Sequence, residues 1–190
     1  MKPEQHDQFK DIDKILLTED EIKQMVEKVG AKISADYQNH EGKLLLLGIL
    51  RGAVVFMTDL MRSLTIPAEI DFMCVSSYGS STHSSGQLNI KFDIKRDDIP
   101  DCDILIVEDI TDSGRTLTYL THYLSEKGAK SVKTCAFFDK PSRREVEFTP
   151  DYTCFEIPDE FIVGYGLDYD QKYRTLPFVG VLKPEIYENN

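Results

Sequence analysis

One stretch of thirteen residues, 104–116, constrains the fold and the chemistry of this chain more than any other. It begins with the apolar run Ile104-Leu105-Ile106-Val107, continues through the acidic pair Glu108-Asp109 and ends in the small polar turn Asp112-Ser113-Gly114. A short, wholly apolar run is typical of a parallel strand that is covered on both faces. The turn opens a helical pattern, and the first N–H groups of a helix lack internal partners and attract anions. The segment therefore predicts carboxylates and free amides around one crevice, which suits a ligand that carries both hydroxyls and a phosphate.

Strands and helices alternate along the chain. Apolar runs predict strands at residues 44–50, 70–75, 103–107 and 132–138, and helical spacing predicts helices at 52–64 and 116–127. This order favours an α/β fold, an open and mostly parallel twisted sheet flanked by helices. Ligands of such sheets bind outside the carboxyl ends of the strands. We expect polar residues from four strand ends to meet there: Arg51, Gly52, Ser77, Tyr78, Lys140 and the acidic segment.

The length of 190 residues predicts one domain over residues 1–190. Its core is expected over about residues 15–150. Beyond Pro150 aromatic and apolar residues crowd together between prolines, which predicts a small C-terminal hood formed largely by residues 151–190 with the N-terminal residues. Residues 76–86 are small and polar, and they predict either a mobile loop that acts as a lid or a purely structural turn.

Charge and composition exclude several classes of protein. The net charge of −11 argues against nucleic-acid binding, which normally requires clustered Lys and Arg. The longest apolar stretch is far shorter than a membrane span, and no secretory signal precedes the first helix, so we expect a cytoplasmic protein. The four cysteines lack the spacing of metal ligands and are interpreted as free thiols in a reducing compartment.

Several segments in the same order carry a family resemblance: residues 48–53, 76–79, 108–116, 139–144, 155–159 and 161–169. The run from Glu108 to Thr116 resembles the 5-phosphoribosyl-1-pyrophosphate (PRPP) binding motif of the type I phosphoribosyltransferases. The rest of the chain is similar to their bacterial hypoxanthine-guanine branch. The resemblance implies the type I phosphoribosyltransferase fold and a Mg²⁺-dependent enzyme of purine salvage. Such an enzyme transfers phosphoribosyl from PRPP to N9 of hypoxanthine or guanine, giving IMP or GMP and pyrophosphate.

The resemblance also implies roles for the acidic segment. Glu108 and Asp109 would hold the ribose hydroxyls and, together with Asp168, lie at the magnesium site. The loop over Asp112, Ser113, Gly114, Arg115 and Thr116 would wrap the 5′-phosphate. Asp112 would act as general base at N7 of the purine, because N9 becomes more nucleophilic when N7 gives up a proton. From the residues alone Asp112 could equally be a helix N-cap, and the two roles are compatible.

The remaining implied roles concern the base, the pyrophosphate and the lid. Lys140 would donate to the 6-oxo oxygen, since an ammonium group only donates. Phe161 would stack on the purine, the backbone of Ile162 would read its edge and Asp168 would lie close to it. Without the resemblance, Phe161 and Ile162 would be interpreted as core residues. Pyrophosphate would be bound by Arg51, Gly52 and Arg174, and Ser77 and Tyr78 would begin the lid.

Two positions depart from the common pattern, and two alternatives stay open. Arg51 stands where many relatives carry lysine, and Ser113 replaces the more frequent threonine while keeping its hydroxyl. The first alternative is a related transferase that prefers xanthine, adenine or a pyrimidine. The second is a PRPP-binding regulator of nucleic acid, which the acidic charge and the retained Asp112 disfavour. The resemblance implies a homodimer or homotetramer, and the sequence leaves open whether Leu50–Arg51 or Arg51–Gly52 is cis.

Overall fold

The computed structural model describes residues 3–77 and 88–188. The strands in this part of the chain are β1 (Ile12–Leu17), β2 (Lys43–Leu50), β3 (Glu69–Ser77), β4 (Leu88–Phe92), β5 (Cys102–Thr111), β6 (Ser131–Asp139), β7 (Tyr152–Glu156), β8 (Ile162–Val163) and β9 (Val179–Leu182). The α-helices are α1 (Glu19–Tyr37), α2 (Val54–Ser63), α3 (Arg115–Glu126) and α4 (Pro184–Tyr187). Short 3₁₀ turns occupy Pro3–Gln5, Asp7–Asp11, Ile99–Asp101 and Pro141–Arg143.

Six strands form the central sheet in the order β4-β3-β2-β5-β6-β7. All neighbours pair in parallel except β3 and β4, which are antiparallel. The predicted open, mostly parallel α/β sheet is therefore confirmed. Because β2 and β5 are adjacent and central, the ends of both strands deliver their residues to the same edge.

The two faces of the sheet are covered by different helices. Leu44 and Leu46 of β2 pack with α1 and α2, whereas Leu45 and Leu47 pack with α3. Successive side chains of a strand point to opposite faces, so a wholly apolar strand requires cover on both sides. This arrangement explains why β2 is an unbroken apolar run.

A second, three-stranded sheet has the order β1-β9-β8. It brings the N-terminal strand against the C-terminal one in antiparallel register, with Ile12 opposite Leu182. We use "hood" below for this sheet together with residues 158–178. The sequence predicts a hood formed largely by residues 151–190, and one strand within this range lies outside the three-stranded sheet. Strand β7 pairs in parallel with β6 and forms the edge of the central sheet.

Element bounds near the predicted site differ from expectation in instructive ways. Strand β5 continues to Thr111, so Glu108 and Asp109 lie within the strand and not after it. Pairing with β2 stops at Val107, but pairing with β6 runs on to Thr111 and keeps the strand extended. Helix α2 begins at Val54, two residues later than predicted. Most of the expected lid loop, including Tyr78, lies outside the described residues.

A separate result concerns membranes. Among the helices of residues 3–77 and 88–188, none combines the length and apolar character needed to cross a bilayer.

Candidate active site

The centre of the predicted site is the carboxyl end of β5, where Glu108 and Asp109 stand side by side. Oε2 of Glu108 is buried and has no hydrogen-bond partner in the described chain. Burial raises the pKa of Glu108 well above its usual value, and the neighbouring charge of Asp109 raises it further. The pKa of Asp109 is also raised, chiefly by burial, although Glu108 and the N–H of Ile110 oppose the shift. A buried acidic pair with an unused oxygen is suited to a ligand that brings hydroxyl donors or positive charge.

The loop that follows β5 has the form of an anion cradle. Gly114 is the N-cap of α3 and adopts φ +82°, a left-handed conformation that glycine tolerates best. A Cβ at this position would lie 2.9 Å from Cδ of Arg144, so the site also demands the smallest residue. The Ser113 hydroxyl accepts from the N–H of Arg115 at 3.3 Å, while the Arg115 side chain turns away to Glu145. The N-terminal end of α3 therefore presents backbone amides, and not the Arg115 guanidinium, to the crevice.

The cradle is held in place by the segment after β6, which the sequence analysis had not singled out for this role. Arg144 donates to the carbonyl oxygen of Asp112 at 2.5 Å and also pairs with the nearly buried Asp139. The N–H of Glu145 donates to the carbonyl of Ser113 at 3.0 Å. Two successive carbonyls of the loop, those of Asp112 and Ser113, are thus fixed from behind.

Asp112 stands at the mouth of the cradle with a half-exposed side chain. Its Oδ1 lies 3.2 Å from Nε of Arg143, and Arg143 also approaches Asp159 of the hood at 3.3 Å. The alternative interpretation of Asp112 as the helix N-cap is wrong, because Gly114 occupies that position and the side-chain hydrogen bond to the first N–H of α3 comes from Ser113. The Asp112 carboxylate therefore does not cap the helix and is available for chemistry.

Lys140 is the buried cation of the site. Only 8% of the residue is exposed, and Nζ donates to the carbonyl of Glu160 at 2.7 Å. Asp159 lies 3.7 Å from the same nitrogen. An ammonium group has three donors, so Lys140 retains donor capacity beyond this contact. The burial distinguishes Lys140 from a merely solvated lysine at a strand end.

Ile162 begins β8, the edge strand of the hood sheet, and Phe161 directly precedes it. Phe161 is 38% exposed, although it stacks on Tyr187 with ring centroids 4.6 Å apart. Ile162 is buried and pairs with Val181 of β9. Because β8 is the last strand of its sheet, its outer backbone groups are left for another partner.

The loop after β2 packs directly against the acidic pair. The peptide bond Leu50–Arg51 is cis. A Cβ on Gly52 would stand only 1.5 Å from Oδ2 of Asp109, and one on Gly166 would stand 2.3 Å from the carbonyl oxygen of Gly52. The backbone of Gly52 is therefore enclosed between β5 and the hood, where any side chain would expel the Asp109 carboxylate.

A chain of polar contacts runs from this loop into the hood. Arg51 Nη1 donates to Oε1 of Gln171 at 2.9 Å, and the N–H of Gln171 donates to Oδ2 of Asp168 at 2.9 Å. Oδ1 of Asp168 pairs with Arg174 Nη2 at 2.7 Å, and Nη1 of Arg174 donates to the carbonyl of Gly166. The structure thus brings Arg51, Asp168 and Arg174 together, with Gln171 as a link that sequence reasoning missed.

The predicted metal ligands are not assembled into one set. Among the described residues, no three His, Cys, Asp or Glu side chains are grouped so as to hold a metal ion. Both oxygens of Asp168 are engaged, one by Arg174 and one by the N–H of Gln171. The assignment of Glu108, Asp109 and Asp168 to a magnesium site therefore stays a prediction. Glu108 and Asp109 alone fit a cation, because they supply two buried carboxyls and one unpartnered oxygen.

Two cavities lie near these residues. A small one of about 80 Å³ is lined by the cradle, from Glu108 to Leu117. A larger one of about 550 Å³ lies between α1, α2 and residues 165–177, and Arg174 forms part of its wall. The smaller cavity adjoins both Glu108 and the start of α3.

Comparison with known proteins identifies the family of this chain. The family model for the phosphoribosyl transferase domain matches residues 14–170. The hypoxanthine-guanine phosphoribosyltransferase of Bacillus subtilis is 47% identical over 179 residues, which cover 94% of this chain and 98% of that protein. The bifunctional protein TilS/HprT of Listeria monocytogenes is 46% identical over 93% of this chain, and the match spans only 27% of that longer relative.

Solved structures give the same result. A hypoxanthine phosphoribosyltransferase from Staphylococcus aureus superposes with a TM-score of 0.90 and 40% identity, covering 96% of this chain and 98% of that one. A hypoxanthine phosphoribosyltransferase from Trypanosoma cruzi, studied for the role of its C-terminal region in oligomeric state and activity, superposes with a TM-score of 0.88. The similarity therefore extends over both sheets.

Proposed function

The chain belongs to the phosphoribosyl transferase domain family, and from this premise we propose that it transfers the phosphoribosyl group of PRPP to N9 of hypoxanthine or guanine. The products would be IMP or GMP and pyrophosphate. The observation that carries the proposal is the unpartnered, buried Oε2 of Glu108 beside the cradle that opens α3. A sugar phosphate supplies hydroxyl donors for the acids and an anion for the amides in a single molecule.

The ribose phosphate is held by two kinds of group, carboxylates that accept hydrogen bonds and amides that donate them. Glu108 and Asp109 accept hydrogen bonds from the vicinal hydroxyls, and this removes the cost of their burial without a partner. The amides of residues 113–116, with the hydroxyls of Ser113 and Thr116, surround the 5′-phosphate at the positive end of the α3 dipole. Binding at both ends fixes the sugar, so the direction in which the leaving group departs is set before the base arrives.

Asp112 accepts the proton from N7 of the purine. N9 then gains electron density and attacks C1′ as the bond to pyrophosphate breaks. Proton transfer of this kind typically contributes about 10²–10⁴-fold to a rate. The support is that Asp112 is half exposed at the mouth of the cradle and does not cap the helix.

Lys140 and the hood select the base. The ammonium group of Lys140 donates to the 6-oxo oxygen and would be repelled by the 6-amino hydrogens of adenine. Phe161 offers a partly exposed ring for stacking, and the outer backbone groups of Ile162 face the edge of the base. These features favour 6-oxopurines as a class, and they do not rank hypoxanthine, guanine and xanthine.

The departing pyrophosphate is received by the backbone of Arg51 and Gly52 and by the guanidinium of Arg174. Glu108 and Asp109 would hold magnesium, which would supply positive charge for the departing diphosphate. Asp168 stays close to the site through Arg174 and contributes negative charge near the base. Ser77 and Tyr78 begin the segment that we propose as the lid that excludes water.

The assay that tests this proposal measures formation of IMP, GMP and XMP from PRPP and each 6-oxopurine, with Mg²⁺. We expect turnover with hypoxanthine and guanine. If the protein is folded and forms no nucleotide from any of these bases, the proposal is wrong. In the Asp112→Asn variant we expect kcat to fall about 10²–10⁴-fold while PRPP affinity stays near that of the parent. An equal loss of both would mean that Asp112 binds the sugar phosphate and is not the base.

Two alternatives have distinct outcomes in the same assay. A preference for xanthine would appear as XMP formation with the highest kcat/KM. A PRPP-binding regulator would bind PRPP without turnover and would bind DNA or RNA, for which the net charge of −11 gives little electrostatic support.

We further propose a cytoplasmic homodimer or homotetramer. Val54 and Met61 lie seven residues apart on the same face of α2 and are each 39% exposed. An apolar strip on a helix is suited to burial against a second copy of the chain. Light scattering that gives the mass of a monomer at micromolar concentration would contradict this assembly.

A further inference from the structure

The C-terminal helix α4 reaches the base-binding part of the hood through one aromatic ring. The rings of Tyr187 and Phe161 are nearly parallel, at 17°, with centroids 4.6 Å apart. Tyr169 meets the same Phe161 ring edge-on, at 5.5 Å and 89°. We propose that Tyr187 is a positioning residue for purine binding, which holds the Phe161 ring in the orientation that stacks on the base. This inference rests on the proposed function.

The exposure of Phe161 supports this arrangement. Tyr187 covers one face of the ring and Tyr169 contacts it edge-on, yet 38% of Phe161 remains exposed. Phe161 is therefore stacked on Tyr187 and still keeps accessible surface for a further contact.

The position of Tyr187 is itself fixed by contacts with the N-terminal segment. The N–H of Lys183 donates to the carbonyl of Asp11 at 3.0 Å, and Nζ of Lys183 donates to the carbonyl of Lys10 at 2.7 Å. The N–H of Leu182 donates to the carbonyl of Phe161 at 2.8 Å. Helix α4 is thus anchored at its start to the hood sheet and to the N-terminal turn, and Tyr187 lies one helical turn further on.

An unsupported Phe161 side chain would lose part of its preorganisation. Aromatic pairs in offset-stacked geometry contribute modestly beyond the area that they bury. For Tyr187→Ala we therefore expect KM for hypoxanthine to rise about threefold to tenfold. KM for PRPP and kcat should change less than twofold, because the ring does not touch the sugar phosphate or Asp112.

The experiment compares the parent with Tyr187→Ala, Tyr187→Phe and Phe161→Leu, and with the double variant Phe161→Leu/Tyr187→Ala. Tyr187→Phe should restore the parent KM, since it keeps the ring and removes only the hydroxyl. In the Phe161→Leu background, Tyr187→Ala should have no further effect on KM for hypoxanthine, because its action passes through Phe161. Glu188→Gln, an exposed change next to Tyr187, is the matched control and should leave all constants unchanged. Thermal unfolding of each variant shows whether α4 has been lost.

Four results would overturn the inference. In Tyr187→Ala, KM for hypoxanthine could stay unchanged, or it could fall, which would mean that Tyr187 competes with the base. The rise in KM could persist in the Phe161→Leu background, or Tyr187→Phe could be as impaired as Tyr187→Ala. Absence of turnover in the parent protein would instead end the proposed function. The two failures are therefore distinguishable.

Discussion

The most informative perturbation is Glu108→Gln, because it separates what the acidic pair does for the ligand from what it costs the fold. Glu108 has a buried oxygen without a partner, and its pKa is raised by burial and by the charge of Asp109. An amide has nearly the same shape, carries no charge and can donate to the neighbouring carboxylate. We expect the variant to be more stable than the parent when no ligand is bound, and to be impaired in catalysis.

The size and the sign of the effect follow from linkage. The carboxyl group titrates at a higher pH in the folded protein than in the unfolded chain, where its pKa is about 4.3. Between those two values the unfolded chain binds fewer protons, so the stability of the parent falls as pH rises. Glu108→Gln has no titrating group at this position, so its stability does not fall with pH for this reason. One buried polar atom without a partner costs about 1–3 kcal/mol, which corresponds to roughly 2–12 °C in Tm for a chain of this length.

The assay is thermal unfolding by circular dichroism between pH 4 and pH 8.5, without substrate or metal ions. The Tm values of parent and variant should coincide near pH 4 and diverge as pH rises, with the variant higher. Glu147→Gln, which changes an exposed carboxylate, should follow the parent at every pH. A Glu108→Gln variant that is no more stable at pH 8, or a difference independent of pH, would refute the reasoning. Loss of kcat/KM alongside the gain in Tm would place Glu108 in substrate binding.

Two further predictions concern the loop after β2. Gly52→Ala should abolish turnover, because its Cβ would stand 1.5 Å from Oδ2 of Asp109, whereas Gly128→Ala should keep activity and lose only about 1 kcal/mol of stability to its positive φ. Steady-state kinetics and urea unfolding distinguish the two, and an active Gly52→Ala variant would contradict the packing. Gln171→Ala should raise KM for PRPP about fivefold by releasing the Arg51 guanidinium, and Gln171→Glu should restore it. Equal effects of both Gln171 variants, or a change confined to KM for the purine, would argue against this link.

The central sheet could be predicted because its information is local. Strands β2 and β5 are buried on both faces, and this requirement alone produces unbroken apolar runs such as Leu44–Leu47. The same holds for the cradle, where Gly114 is required both by its φ and by the nearness of Arg144. Sequence patterns carry such constraints because one residue type satisfies them.

The hood and the links around the site could not be predicted in this way. Strand β1 is recognisable only by its partner β9, far along the chain, and its own pattern is mixed. Gln171 contacts Arg51, and Arg144 contacts Asp112. No local spacing in the sequence predicts either contact. The extension of β5 past the acidic pair depends on β6, which continues to pair where β2 has ended. In each case the missing information is a distant partner.

The pairing of β1 with β9 has a consequence for how the molecule is made. Ile12 lies opposite Leu182, which a ribosome delivers about 170 residues later. The strands of the central sheet, all between residues 43 and 156, can pair while synthesis continues. Nascent chains that stall before residue 179 would therefore contain every strand of the central sheet but lack β9, the strand that joins β1 to β8 in the hood.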